Sequence, residues 1–372
     1  GRLEVILLLV AMMIIVWIIS ETGFFQWFAI RVAQLVRGNP IALIAILSIV
    51  TAVCSAFLDN VTTILLMAPV SILLAKQLEL SAFPFLMSEV MGANIGGAAT
   101  LIGDPTQLIL GSEGNLSFNA FLANTAPLAI VALCVMILTV YVLYKKELVV
   151  SNELKARIME LDPSRSLKDI KTLKIALTVF SFVILGFISI ILTSALGYIS
   201  LFKSLIIALI VLLFSKLLTI NDIKRNFPFE IFLIIGSSIA ISKVLANSGL
   251  ANDIATVITA SFGVYGIYGS FIGIYLVTMI LTEFMSNNSA AAIVFPIAYS
   301  TAIGLDVSIY PFVFAVAFGA SASFLIPHGY QTNLMVTSLG SYKTKDFIKA
   351  GIPLSIVYSL VVIIATPIFF KF

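Results

Sequence analysis

The chain has 372 residues, of which 60% are hydrophobic and only 10% charged, whereas soluble globular domains carry about a quarter charged residues. Its 21 Lys and Arg against 18 Asp and Glu leave a net charge of +3, which gives no basic footprint for nucleic acid. One histidine, His328, and two cysteines, Cys54 and Cys134, without a CxxC spacing exclude a multi-histidine metal centre and a disulfide framework.

Apolar stretches near the ~20 residues that span a bilayer as a helix follow one another along the chain, without the short alternating strands of a barrel. The predicted elements begin with a span at 4–20, which lacks a signal-peptide cleavage pattern, and an amphipathic helix at 24–37. An apolar hairpin with a polar turn follows at 40–76, then a segment interrupted by Gly, Pro and polar residues at 82–111, and a closing span at 117–144. A charged linker covers 145–170, and spans are expected at 171–194 and 197–217. The first pattern then returns as a span (228–246), an amphipathic helix (250–262), a hairpin (266–303), an interrupted segment (309–338) and a closing span (346–370).

The return is visible in the residues at an offset of 226 to 227. Glu21-Thr22-Gly23-Phe24 aligns with Asn247-Ser248-Gly249-Leu250, and Phe57-Leu58-Asp59-Asn60 with Phe284-Met285-Ser286-Asn287, each of the latter followed by a proline (Pro69, Pro296). Gly103-Asp104-Pro105-Thr106 aligns with Gly329-Tyr330-Gln331-Thr332. Three matches in order predict a repeat. With the linker on the cytoplasmic side, 17 of the 21 Lys and Arg fall inside, as the positive-inside rule asks. Five crossings separate equivalent spans, so the second repeat is expected to be inverted. The expected fold is an all-α polytopic membrane protein with repeats at 1–144 and 171–372, each holding a re-entrant hairpin and a broken helix. The first repeat lacks counterparts to the spans at 171–194 and 197–217, and the chain starts at Gly1 inside an apolar run; two spans are expected upstream.

Polar residues at membrane depth are expensive and mark function. They gather in four places: Asp59, Asn60, Thr62 and Thr63; Asn94, Gly97, Thr100, Gly103, Asp104 and Thr106; Ser286, Asn287, Asn288 and Ser289 after Glu283; and Ser323, Gly329, Thr332 and Asn333. Pro105 and Pro327 predict breaks in the interrupted helices. Paired broken elements in two halves point to a transporter's midplane site, where free N–H ends favour anions and free carbonyl ends hold cations. Asp59 is the first candidate for a coupling cation, H⁺ or Na⁺, with sodium held near Asp59, Asn60, Ser286 and Asn287. Asp104 reads equally as a local turn aspartate. Glu89 and Glu283 could each lie near a membrane interface, His328 is expected to be buried and satisfied, and Phe24, Phe25, Trp27 and Phe28 are expected to anchor an interfacial helix.

Ser55-Ala56-Phe57-Leu58-Asp59-Asn60-Val61-Thr62-Thr63 and Asn94-Ile95-Gly96-Gly97-Ala98-Ala99-Thr100-Leu101-Ile102-Gly103-Asp104-Pro105 resemble the first hairpin and broken helix of the ArsB/NhaD and P-protein group of permeases. Ser286-Asn287-Asn288-Ser289 and Gly329-Tyr330-Gln331-Thr332-Asn333-Leu334 resemble motifs of the divalent-anion:sodium symporters. Both groups carry a citrate-transporter-like domain. The resemblance implies a homodimer in which a transport domain moves like an elevator against a scaffold, joined by arms at 24–37 and 250–262. It also implies that Asn60, Asn287, Thr106 and Thr332 line the site.

The tips depart from the Ser-Asn-Thr of dicarboxylate symporters, and the Asp59 charge would repel a carboxylate. The expected function is therefore a secondary active transporter of the inner membrane, moving a small ion or oxyanion with H⁺ or Na⁺, like an arsenite-efflux or Na⁺/H⁺ antiporter. Sodium-coupled uptake of citrate or another dicarboxylate is the alternative. A channel fits the paired breaks less well, and an enzyme finds no HExxH, GxSxG or GxGD. No cofactor is expected. With no P-loop, energy comes from an ion gradient or from a separate ATPase subunit.

Overall fold

The computed structural model describes residues 14–114, 116, 118–175, 177–178, 181, 201–214, 216, 218–225, 229–340, 342–370 and 372. The described residues are helical throughout, with no strand among them. Most of the span expected at 4–20 and of that at 171–194 lies outside them, as do the ends of the span at 197–217.

In the first half, α1 (Ile14–Glu21) meets α2 (Phe24–Leu35) at a bend of 67°. A hairpin of α3 (Pro40–Ser55) and α4 (Asn60–Gln77) follows. The interrupted segment is α5 (Phe83–Ala98) and α6 (Pro105–Glu113), and α7 (Phe118–Tyr144) closes the half. The linker holds α8 (Asn152–Met159), and α9 (Leu201–Phe214) and α10 (Ile220–Arg225) come next. The second half runs α11 (Phe229–Asn247), α12 (Leu250–Phe262), the hairpin α13 (Gly266–Phe284) and α14 (Asn287–Gly304), the interrupted pair α15 (Tyr310–Ala320) and α16 (Gln331–Gly340), and α17 (Thr344–Phe369).

Backbone detail that apolar composition does not dictate follows the same offset. Glu79 and Asp306, 227 positions apart, both take left-handed conformations just after α4 and α14 (φ 56° and 55°), which non-glycine residues seldom adopt. Gly23 and Gly249 do the same before α2 and α12 (φ 79° and 81°). Gly23 must be glycine for a second reason: a Cβ there would run into the carbonyl of Ser166 in the linker. Lys168 N–H donates to the Thr22 carbonyl at 3.0 Å, and the Gln34 amide donates to the Leu161 carbonyl at 2.7 Å. The linker is therefore docked on the α1–α2 elbow.

Among the described residues four stretches are long and apolar enough to cross a membrane, namely Asn60–Gln77, Phe121–Tyr144, Leu250–Phe284 and Thr344–Phe369; the bent α1–α2 pair makes a fifth if it counts as one span. On α17, Ile356, Leu360, Ile364 and Ile368 are exposed at four-residue intervals, one apolar stripe on a helical face. Such a stripe is stable outward only against lipid. The opposite face buries Leu354, Tyr358 and Val362.

Within each half the hairpin and the interrupted helix are pressed together. A Cβ on Gly96 of α5 would strike the Ala52 backbone of α3, and one on Gly92 the Ser48 carbonyl. Gly319 of α15, 227 residues after Gly92, lies against Thr278 and the Tyr275 carbonyl in the same way. Small residues at such crossings let helix backbones approach. Gly96→Val is expected to lower stability by about 1–3 kcal/mol through overpacking, whereas Gly304→Ala, with nothing within 4 Å of the new Cβ, should leave it within about 0.5 kcal/mol. Thermal unfolding of the purified full-length protein in detergent measures both, and equal midpoints would contradict the close packing.

Candidate functional site

Each hairpin tip is built by the same device. At the first tip, Asp59 precedes α4 with extended backbone and its carboxylate accepts from Thr62 N–H at 2.9 Å. The Thr62 hydroxyl donates to the other carboxylate oxygen at 2.5 Å, and the Thr63 hydroxyl donates to the Asp59 carbonyl at 3.0 Å. At the second tip Ser286 accepts from Ser289 N–H at 3.3 Å, and the two hydroxyls pair at 2.9 Å. These are N-caps, which satisfy one of the free donors that open a helix.

The residue after each cap turns inward. Asn60 and Asn287 are buried. Asn60 Oδ1 accepts from the Ser55 hydroxyl at 2.5 Å, and Asn287 Oδ1 accepts from the Thr282 hydroxyl at 2.8 Å. Both donors sit five residues earlier, so the bond itself repeats. In the first half it orients the amide so that Nδ2 points at the following helix break. Asn60 Nδ2 donates to Asp104 Oδ2 at 2.8 Å and to the Tyr330 hydroxyl at 3.0 Å, with Asn94 Oδ1 at 3.3 Å. The Tyr330 hydroxyl donates in turn to Asp104 Oδ2 at 3.3 Å. Asp104 and Tyr330 occupy equivalent positions of the two halves, and they meet.

Asp104 is buried and also caps α6, accepting from Thr106 N–H at 2.8 Å. The Thr106 hydroxyl donates to Asn288 Oδ1 at 2.8 Å, a further bond between the halves. Gln107 adds to these, its amide donating to the Ala317 carbonyl at 3.3 Å and the Ser321 hydroxyl at 3.4 Å. Gly97 lies so close to Asn60 that a Cβ would collide with its amide oxygen.

The two breaks are held differently. In the first, Thr100 accepts from Gly103 N–H at 3.0 Å and donates to the Ala56 carbonyl at 2.5 Å. In the second, Glu283, the residue equivalent to Ala56, receives three consecutive backbone donors: Phe324 N–H at 2.9 Å, Leu325 N–H at 3.0 Å and Ile326 N–H at 3.1 Å. Ser323 donates to Asn287 Oδ1 at 3.3 Å, and the Asn333 amide donates to the Ser323 carbonyl at 2.9 Å. Gly329 approaches the Glu283 backbone as Gly103 approaches that of Ser55.

Five buried polar atoms in these motifs have no hydrogen-bond partner among the described residues: Asn94 Nδ2, Gln107 Oε1, Asn287 Nδ2, the Thr332 hydroxyl and Asn333 Oδ1. Buried polar groups are nearly always paired, so these await water, an ion or a substrate. The repeat accounts for one of them. Thr106 finds Asn288, but the residue equivalent to Asn288 in the first tip is Val61, which offers Thr332 no acceptor.

All four predicted clusters therefore meet around two tips and two breaks. Asp59 is the exception in its role: half-buried, it caps α4 and does not join the Asn60–Asp104–Tyr330 ring. Tyr330, Gln107, Ser55 and Thr282 were not expected there; the offset aligns Tyr330 with Asp104, and the fold brings the two together. Glu283 is buried beneath the second break. His328 corrects its expectation, for it is exposed in the short 3-10 turn Pro327–Gly329, where the fixed proline carries the next side chain outward.

A family model described as citrate transporter matches residues 2–319. The chain belongs to the citrate transporter family. It is 31% identical over 349 residues to an uncharacterised transporter of Haemophilus influenzae, covering 90% of this chain and 74% of that one. It is 43% identical over 166 residues to the 46 kDa membrane protein of Mycobacterium leprae, across 45% of this chain and 39% of that protein, so the match spans well under half of that relative. Human P protein is 50% identical over 113 residues, 30% of this chain and 14% of its own length. In fold the chain is similar to the Alcanivorax borkumensis YdaH transporter, with a TM-score of 0.64 at 15% identity, over 99% of this chain and 85% of that one. This member of a transporter family is an integral, multi-pass membrane protein.

Replacing Glu283 by alanine strips three backbone donors of their acceptor, and should cost about 3 kcal/mol of stability. Glu283→Gln, which keeps one acceptor oxygen, should cost less. Thermal unfolding of the two variants side by side tests the order; a wild-type midpoint for Glu283→Ala would mean the break is held otherwise.

Proposed function

We propose that the protein is a secondary active transporter that carries a small oxygen-rich anion, citrate or a related carboxylate being the first candidate, coupled to H⁺ or Na⁺. The observation that carries this reading is the meeting of four helix N-termini, those of α4, α6, α14 and α16, through the bonds among Asn60, Asp104, Tyr330, Thr106 and Asn288. Each N-terminus bears roughly half a positive charge and favours an anion.

The four ends divide into two kinds. Those of the first half are capped by carboxylates, Asp59 and Asp104; that of α14 is capped by the neutral Ser286, and α16 starts after Tyr330. An anion is favoured at the second-half ends, beside the free Asn287 amide and Thr332 hydroxyl, and a cation beside Asp104. Asp59 no longer argues against a carboxylate substrate, because its charge is spent on the α4 N-terminus. The repeats at 1–144 and 171–372, an elevator motion pivoting on Gly23 and Gly249, and a homodimer are part of the same proposal. An ion gradient drives transport in it.

Full-length protein in proteoliposomes should exchange labelled citrate or a dicarboxylate for the unlabelled form. Asn287→Ala should slow exchange about tenfold, the equivalent of one hydrogen bond to the substrate at ~1.4 kcal/mol. If sodium is the coupling ion, Asp104→Asn should remove the dependence of net uptake on the sodium gradient. Collapse of a pH gradient by Na⁺ or arsenite, with no carboxylate exchange, would instead establish the antiporter reading.

A further inference from the structure

Apart from the site, one ionisable side chain lies wholly inside the first half. Glu89, in the middle of α5, has no solvent exposure. Its Oε1 accepts from the Ser71 hydroxyl of α4 at 2.5 Å, and its Oε2 has no partner among the described residues. The elements packed on α5 are α3, α4, α7, α15 and α16. Neither α3 nor α7 carries a charged residue; their titratable groups are Cys54, Cys134, Tyr141 and Tyr144. On α4 there is only Lys76, which is exposed, with Asp59 capping the far end. Tyr310 is the sole titratable group of α15, and α16 has none. Among the described residues no cation faces Glu89, so an ionised carboxylate here would be an uncompensated buried charge, which proteins avoid.

Nor does the fold need the group. The α14–α15 contact repeats the α4–α5 contact, and at the +227 positions Ala298 and Val316 replace Ser71 and Glu89, both fully buried. An apolar pair therefore fills this place in the second half, and apolar replacement of a buried charged group is often neutral or stabilising. A polar pair kept where an apolar one packs equally well calls for a functional reason.

We propose that Glu89 is the proton-carrying group of the transport cycle, loaded at the α4–α5 interface apart from the substrate site. The carboxyl takes up a proton from water when the interface is open to one side, buries it neutral against Ser71, and returns it to water on the other side. A proton fits better than sodium, because one carboxylate and one hydroxyl are too few oxygens to replace a hydration shell. Glu89 is five residues from Asn94 on the same helix, about 7.5 Å along its axis. That is near enough for rearrangement around Asn60 and Asn94 to reach it through α5. The assignment rests on the proton-coupled branch of the reading above.

Infrared difference spectra of full-length protein taken across a pH titration test it without transport. Wild type should show a protonated-carboxyl band that is missing from Glu89→Gln. In proteoliposomes, the ratio of pH-driven uptake to citrate counterflow should fall about tenfold, within the usual range of coupling between sites, both in Glu89→Gln and in S71A/E89V. The double variant installs the apolar pair that the second half already packs, so misfolding does not obscure the result. An unchanged band in Glu89→Gln, or a wild-type ratio in S71A/E89V, would overturn the proposal. Wild type without counterflow of any carboxylate would sink the substrate reading instead, and the band would still decide on Glu89.

Discussion

A helix that breaks inside a membrane leaves backbone donors and acceptors that lipid cannot satisfy. That constraint shapes nearly every polar residue in this chain's interior. Thr100 answers it in the first break by accepting from Gly103 N–H and donating to the Ala56 carbonyl. Glu283 answers it in the second by taking three N–H groups of Phe324–Ile326. The tips meet the same demand with Asp59 and Ser286. Once the backbone is satisfied by these residues, the amide of Asn60 is left to join Asp104 and Tyr330, and Asn287 Nδ2 stays buried without a partner among the described residues.

The two halves share a scaffold and differ in charge. The inward asparagine and its hydroxyl donor five residues earlier occur in both, as do the left-handed residues Glu79 and Asp306. Carboxylates are distributed unequally. The first half places Asp59, Glu89 and Asp104 where the second has Ser286, Val316 and Tyr330; the second has Glu283 where the first has Ala56. Glu283 is fully engaged by backbone, so its half presents neutral donors to the site, whereas Asp104 presents a carboxylate oxygen. A symmetric frame thus holds a site with an acidic side and a neutral side.

Much of this was legible in the sequence because periodicity and punctuation report on backbone. The offset of 226 to 227, the two prolines and the polar tips located the described hairpins and interrupted helices, at whose tips and breaks the four polar clusters lie. Roles within the clusters were harder. Asp59 looked like the functional acid because a carboxylate in an apolar run seems unpaired, yet Thr62 lies three residues on and makes it an N-cap, a pattern readable as Asp-x-x-Thr. Tyr330 escaped notice because an aromatic in a membrane helix reads as packing; only the fold brings its hydroxyl to Asp104 across 226 residues. His328 was misjudged because hydropathy describes a segment, and a tight turn at Pro327 can turn one side chain out of it.

The packing also limits where motion can occur. Glycine contacts lock α3 to α5 and bring α13 against α15 with little space between backbones. Among the described side chains of the site, the bonds that join one half to the other are few: Asn60–Tyr330, Tyr330–Asp104, Thr106–Asn288 and Gln107 to α15. Nearly all involve residues whose other valences are open or shared, so a substrate or ion entering there exchanges bonds with the protein without breaking a helix. A site placed where the two halves meet can couple its occupancy to their relative position, because the occupant exchanges bonds with residues of both.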